Sequence, residues 1–296
     1  MKASKISIIT TALSIVLTAN NSAFAQSWLE NLENKWLDER VIFLPKPEFM
    51  RGEGYTNYRL YKNMEMEGEK HPEYDKFAGK TARITKIIWD HPLDVPKILF
   101  LLHDSTTTFY TFAYKNMLEE VAFLSEIRNA RKFIGRSFWN KRNYFKKENE
   151  KDGSVRIINL KNLEEVFLVD VRWGENDEKP LKYIFKTEEG DEIFWEGNHS
   201  DINSIEKPDK EIFSDNFYFE SPKDMHPDWK KKIWELIASE SIQMGMTFEM
   251  VEMSWGPPAE KYTTRNTSPM YQIWIYTRPL KSYLYFQDGV LKNWSY

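Results

Sequence analysis

Glu196, His199 and Asp201 stand together in "EGNHSD", close enough in sequence for an imidazole and two carboxylates to hold a divalent ion or pass a proton. A solvated loop is the other reading of the same six residues. The remaining histidines, His71, His91, His103 and His226, are scattered, and three of the five histidines precede proline, which marks turns rather than the helical spacing of metal-ligand pairs. The chain has no cysteine, which removes disulfides, zinc-thiolate centres and thiolate nucleophiles together. No Gly-x-Ser-x-Gly elbow is present. With 45 acidic residues, carboxylate pairs at the roughly 5–9.5 Å of glycoside hydrolysis arise by accident. These residues define no nucleophile, metal set or cofactor site, and the chain reads as non-catalytic, with no cofactor.

The most distinctive stretch is "SIQMGMTFEMVEMSWGPPAEKY", Ser241 to Tyr262, with four methionines. Gly245 can take a left-handed conformation that ends a preceding helix, and Thr247 can cap a second one, "FEMVEMSW", with Glu249 in its first turn. Gly256, Pro257 and Pro258 stop that helix at Trp255. Met246, Met250 and Met253 follow at four- and three-residue steps, so they share a face, which is either a packed core or a soft partner-binding surface. The preceding helix, in "HPDWKKKIWELIASESI", carries Trp229, Ile233, Leu236 and Ile237 on one face, with Pro227 near its start and Asp224 as its cap. Three strand-like runs follow, "MYQIWIYT", "KSYLYFQ" and "VLKNWSY", the last two joined by the hairpin signal Asp288-Gly289. Met246, Met250 and Val251 are expected to face the strands that carry Ile273, Ile275 and Leu284.

The succession "GMT…V…WGPP", the aromatic strand from Trp274 to Tyr276 and "LYFQDGVLKNW" resemble the SmpA/OmlA family of BamE-like envelope proteins, over about residues 228–296. The resemblance implies two helices on a three-stranded antiparallel sheet, a layout shared with the β-lactamase inhibitor protein repeat. It also implies a role in assembling or stabilising outer-membrane components by binding protein or lipid, with no catalytic residue among the matched positions. Family members are commonly lipoproteins anchored through an N-terminal cysteine, which this chain lacks.

Upstream, the chain repeats itself. "ARITKIIWDHPLDVPKILFLLHDSTTTFY" from Ala82 lies over "VFLVDVRWGENDEKPLKYIFKTEEGDEIF" from Val166 without a gap, pairing Trp89 with Trp173 and Pro96 with Pro180. Each reads as strand, polar loop, strand, tight acidic turn and strand, with the paired tryptophans as core residues. "KFAGK" at Lys76 is echoed by "KFIGR" at Lys132, and an extra hairpin near Asp152-Gly153 accounts for the wider second spacing. Two tandem small β-barrels follow from this reading, resembling SH3-like or OB-like modules. A helix in "SWLENLENKWLDERVIFLP" carries Trp28, Leu29, Leu32, Trp36 and Leu37 on one face. Another, between the two barrels, carries Val121, Leu124, Ile127 and Arg128 and ends at Gly135.

Lys2 and Lys5, the apolar run Ile6–Ala19 and small Ala23 and Ala25 have the order of a secretory signal peptide cut after Ala25. The apolar run is shorter than the roughly 20 residues of a spanning helix, which implies a soluble periplasmic or secreted chain beginning at Gln26, without transmembrane segment or lipid anchor. The formal charge is −4 before Lys2 and Lys5 are removed, a sign that argues against nucleic acid as partner. The expected organisation is α+β: signal peptide 1–25, helical extension 26–75, small β domains 76–131 and 132–205, linker 206–226, and a BamE-like domain 227–296. The functional expectation is an exported, non-catalytic binding or scaffold protein of the bacterial envelope that takes a protein, peptide or cell-wall ligand. A hydrolase of peptidoglycan or glycans, and an inhibitor of a secreted enzyme, are the alternatives.

Overall fold

The computed structural model describes residues 26–296 other than 63–64, 67–69, 105, 114–116, 142–143, 150, 175–176, 204–211, 265–268 and 278–279. The expected leader, 1–25, lies outside the described residues. The fold is α+β, with mostly antiparallel sheets and short helices. The described residues form two compact units, one within Met1–Lys132, Val171–Lys182 and Glu196–Ile212, the other within Phe133–Asp170, Tyr183–Trp195 and Phe213–Tyr296.

The first sheet has seven strands: β1 (Arg40–Phe43), β2 (Tyr58–Lys62), β3 (Glu65–Met66), β4 (Thr81–Asp90), β5 (Val95–Leu102), β6 (Thr108–Phe112) and β7 (Val121–Phe123). The second has β8 (Ser137–Asn140), β9 (Tyr144–Glu148), β10 (Val155–Asn159), β11 (Glu165–Trp173), β12 (Leu181–Lys186), β13 (Glu192–Gly197) and β14 (Phe217–Tyr218). Their orders are β3-β2-β6-β5-β4-β1-β7 and β10-β9-β13-β12-β11-β8-β14, so each strand of one sheet has the place of the strand seven later in the other. Register agrees as well. Val41 pairs with Ala82 as Phe138 pairs with Val166, and Phe43 pairs with Val121 as Asn140 pairs with Phe217.

The equivalence extends to the entry of each sheet. Helix α1 (26–36) precedes β1, the single turn α2 (Tyr74–Phe77) precedes β4, and α3 (Leu124–Arg131) precedes β8. Chain reversal after α1 uses Asp38 at φ 64, whose N–H donates to the Ile84 carbonyl at 3.0 Å. After α3 it uses Gly135 at φ 85, whose N–H donates to the Leu168 carbonyl at 2.9 Å. Trp36 meets Phe123 at 5.9 Å between ring centroids, and Phe133 meets Phe219 at 5.4 Å. The counterpart of "KFIGR" is therefore Lys35 to Glu39, which leads into β1, and not "KFAGK", which leads into β4. Letter identity misled here because a turn is defined by its backbone sign and by the strand it feeds.

Other expectations shift for related reasons. The hairpin near Asp152-Gly153 is β9–β10, the counterpart of β2–β3 rather than an addition. Residues 26–75, read as an extension, supply β1, β2 and β3, and β14 lies within the expected linker. Val121 belongs to strand β7, and α3 starts at Leu124. Trp89 and Trp173 occupy matching strand ends, but both are half-buried, and Trp89 spends its indole N–H on Asp94 Oδ1 at 3.2 Å. The interior positions are Ala82, Ile84 and Ile87 on β4 and Val166, Leu168 and Val171 on β11, at identical intervals. Around the first set gather Trp36, Phe43, Tyr58, Phe100 and Phe109, all inaccessible to solvent.

The C-terminal segment begins with two single turns, α4 (Phe213–Asn216) and α5 (Pro222–Met225), the second capped by Ser221. Helices α6 (Lys231–Ala238) and α7 (Phe248–Trp255) then cover a sheet of β15 (Glu260–Thr263), β16 (Tyr271–Tyr276), β17 (Ser282–Gln287) and β18 (Val290–Ser295) in sequential order. Asp224 lies inside α5 and caps nothing in α6. Strand β15 is an addition to the three strands expected.

The paired turns give a test. A Cβ on Gly135 would meet nothing within 4 Å, so Gly135→Ala should cost only the left-handed penalty of about 1–2 kcal/mol. Asp38→Gly should leave stability unchanged or raised. Urea unfolding of both variants measures this, and an Asp38→Gly loss as large as that of Gly135→Ala would contradict the shared turn.

Candidate functional site

Helix α7 is bounded as its sequence dictates. The Thr247 hydroxyl accepts from the Met250 N–H at 3.3 Å, and Gly256, at φ 77, ends the helix by donating to the Glu252 carbonyl. Gly245 has a positive φ of 94, but α6 ends seven residues earlier, at Ala238. Its role is to turn the chain onto β18. The Gly245 N–H donates to the Leu291 carbonyl at 2.9 Å, and the Leu291 N–H returns a bond to Met246 at 2.8 Å. The Phe248 N–H donates to Gly289, which with Asp288 forms the left-handed β17–β18 turn, φ 49 and 79.

Met246, Val251 and Met253 are buried with Ile237, Trp274, Tyr276, Leu284, Phe286 and Leu291, while Met250 packs at the margin. The strand residues facing α7 are Trp274 and Tyr276; Ile273 and Ile275 point the other way, and Ile273 is exposed. Ile273, Trp274, Ile275 and Tyr276 are all apolar or aromatic, so alternation could not tell the faces of β16 apart there, and the bulkier aromatic pair took the interior.

The opposite side of α7 is not covered. With Glu249, Glu252, Trp255, Gly256 and Pro257 it walls an open cleft of about 1320 Å³, whose other walls include Lys141, Tyr144, Asp215, Tyr218, Met225, Glu240, Tyr276, Leu280 and Tyr296. The aromatic wall is fixed in place. Trp255 donates its indole N–H to the Glu240 carbonyl at 2.8 Å and meets Tyr276 edge-on at 5.3 Å, and the Tyr276 hydroxyl donates to the Gly256 carbonyl at 2.8 Å. The Lys141 ammonium donates to the Ser214 carbonyl at 2.9 Å and lies 4.5 Å over the Tyr218 ring. Burial lowers the Lys141 pKa against the pull of Asp215. Burial, then Glu252 and Glu249, push the Tyr218 phenol up to about 12.

The floor hangs on Asn162. Its amide donates to the Met253 carbonyl at 2.7 Å and to the Ile237 carbonyl at 3.3 Å, both among the last four carbonyls of their helices, which have no partner within the helix. The loop presenting Asn162 is held by Asn140, whose side-chain amide donates to the Lys161 carbonyl at 2.9 Å and whose backbone carbonyl accepts from the Leu163 N–H at 3.1 Å. Leu163 takes a left-handed φ of 62 and packs on the C-terminal core. Neither asparagine was marked by sequence reading. Their one signal is positional: Asn140 stands where the first sheet has the core residue Phe43.

Glu196, His199 and Asp201 do not converge on a common centre. The His199 and Ser200 backbone N–H groups donate to the Glu126 carboxylate at 2.7 and 3.1 Å, and the Ser200 hydroxyl joins them at 2.5 Å. Asp201 pairs instead with Lys35 at 3.1 Å. Burial raises the Glu126 pKa against these bonds, and burial together with Lys132 lowers that of His199. The geometry is that of a buried carboxylate holding a loop. Among the described residues no group of three or more potential ligands could hold a metal ion, and no helix is long and apolar enough to cross a membrane.

No protein-family model, curated protein or solved structure matches the chain.

Two neighbouring methionines separate the core face from solvent. Met246→Ala should cost about 2–5 kcal/mol, and Met244→Ala, at a side chain 64% exposed, should stay within about 0.5 kcal/mol. Denaturant unfolding compares them, and equal losses would overturn the assignment of faces.

Proposed function

We propose that this is an exported, non-catalytic binding protein of the cell envelope whose ligand occupies the cleft beside α7. Its finer architecture is proposed to be two SH3-like β domains followed by a BamE-like domain, a reading that the shared strand order and the helix–helix–sheet succession support. The observation that carries the functional reading is the cleft. Its volume of about 1320 Å³ exceeds the roughly 300–1,000 Å³ of small-molecule sites. Its aromatic wall is anchored before any ligand arrives, which lowers the ordering cost of binding. The titratable group most deeply embedded near the histidine loop, Glu126, is committed to backbone N–H groups, which favours a structural over a catalytic role there.

Export is tested by expressing the full chain with its leader in a Gram-negative host. The recovered protein should have the intact mass of a chain starting at Gln26 and stay soluble after osmotic release. A retained Met1, or material that leaves membranes only with detergent, would contradict it.

A further inference from the structure

We propose that the cleft ligand is an extended polypeptide segment bearing lysine or arginine next to apolar side chains; this rests on the cleft being the binding site. Four carboxylates, Asp215, Glu240, Glu249 and Glu252, line the cleft against one lysine, Lys141. Two of the four already have cationic or imidazole neighbours, Lys261 at 3.4 Å from Glu252 and His226 at 3.3 Å from Glu249. Lys141 is directed to the Ser214 carbonyl and the Tyr218 ring. Asp215 and Glu240 form no ion pair among the described residues, and although Asp215 acts on the Lys141 ammonium, four carboxylates against one lysine leave the lining net negative.

A second contribution has the same sign. Helix α7 ends at the cleft with Ser254, Trp255 and Gly256 on its wall, and a helix C-terminus carries partial negative charge, here reduced by the bonds that Asn162 and Tyr276 donate to the Met253 and Gly256 carbonyls. The Tyr218 ring already lies under the Lys141 ammonium, and Trp255 adds a second aromatic side chain to the wall. The carboxylates and the helix end favour a positive ligand and disfavour a phosphate or acidic polymer. Met225, Leu280 and Trp255 add apolar surface that a compact polyamine would leave exposed to water. The size and openness of the cleft suit a chain that enters and leaves it rather than an enclosed small molecule.

The test uses the mature full chain and two blocked synthetic octapeptides, Lys-Leu-Gly-Lys-Leu-Gly-Lys-Leu and the analogue with glutamate in place of lysine. Isothermal titration and tryptophan fluorescence follow binding, with spermidine as the polycation that has no apolar side chains. The lysine peptide should bind saturably, and Asp215→Asn with Glu240→Gln should weaken it roughly tenfold, or about 1.4 kcal/mol, with an unchanged thermal transition. Trp255→Phe should remove most of the fluorescence response. Equal binding of the glutamate peptide, or spermidine as tight as the lysine peptide, would overturn the proposed ligand while leaving the cleft as a site. If no probe changes the Trp255 signal or gives heat, both the ligand and the cleft reading fall.

Discussion

The side-chain amide of Asn162 is the contact on which the C-terminal architecture depends. An amide nitrogen has two N–H donors, and here they reach carbonyls at the ends of two different helices, Ile237 in α6 and Met253 in α7. The Met253 carbonyl would otherwise need water in a place where Asn162 is itself buried, while the Ile237 carbonyl, which accepts from the Glu240 N–H at 3.1 Å, gains a further donor. One residue therefore ties α6, α7 and the loop between β10 and β11 together, beside the Trp255 and Ser254 bonds to the Glu240 and Ser241 carbonyls. With these ties in place, the inward face of α7 meets Trp274 and Leu284, and its outward face is left as a cleft wall.

The comparison of the two seven-stranded sheets shows how such a contact arises on a repeated framework. Equivalent backbone positions keep their pairing, yet side chains change character, three of them beside the C-terminal segment. Phe43 in the first core is replaced by Asn140, which holds the Asn162 loop. Leu44, whose N–H donates to the Glu120 carbonyl, is replaced by Lys141, whose N–H donates to Asn216. Ala122 is replaced by Tyr218. The last two changes place a cation and an aromatic ring on the cleft wall.

Sequence pattern showed well what depends on local backbone chemistry. Thr247, Gly256 and Asp288-Gly289 act as cap, stop and turn because those roles need a hydroxyl or a positive φ within a few residues. The gap-free pairing of Ala82 with Val166 lands on β4 and β11 because buried positions recur at the same intervals in both. What pattern missed depends on partners distant in the chain. Strand β1 is only four residues long, and its role as a sheet member is set by β4 and β7, more than 35 residues away. Face choice on β16 was undecidable where Ile273, Trp274, Ile275 and Tyr276 are all suited to burial. Asn140 and Asn162 look like loop or turn residues until the carbonyls they serve are in place.

Amide hydrogen exchange on the Asn162→Ala variant of the mature chain tests this account most directly. The account predicts faster exchange in α6 and α7, with β16, β17 and β18 retaining most of their protection, because the sheet ladder is intact while the helices lose their common anchor. Unchanged protection of both helices would show that the asparagine is incidental and that core packing alone positions α7 and its cleft.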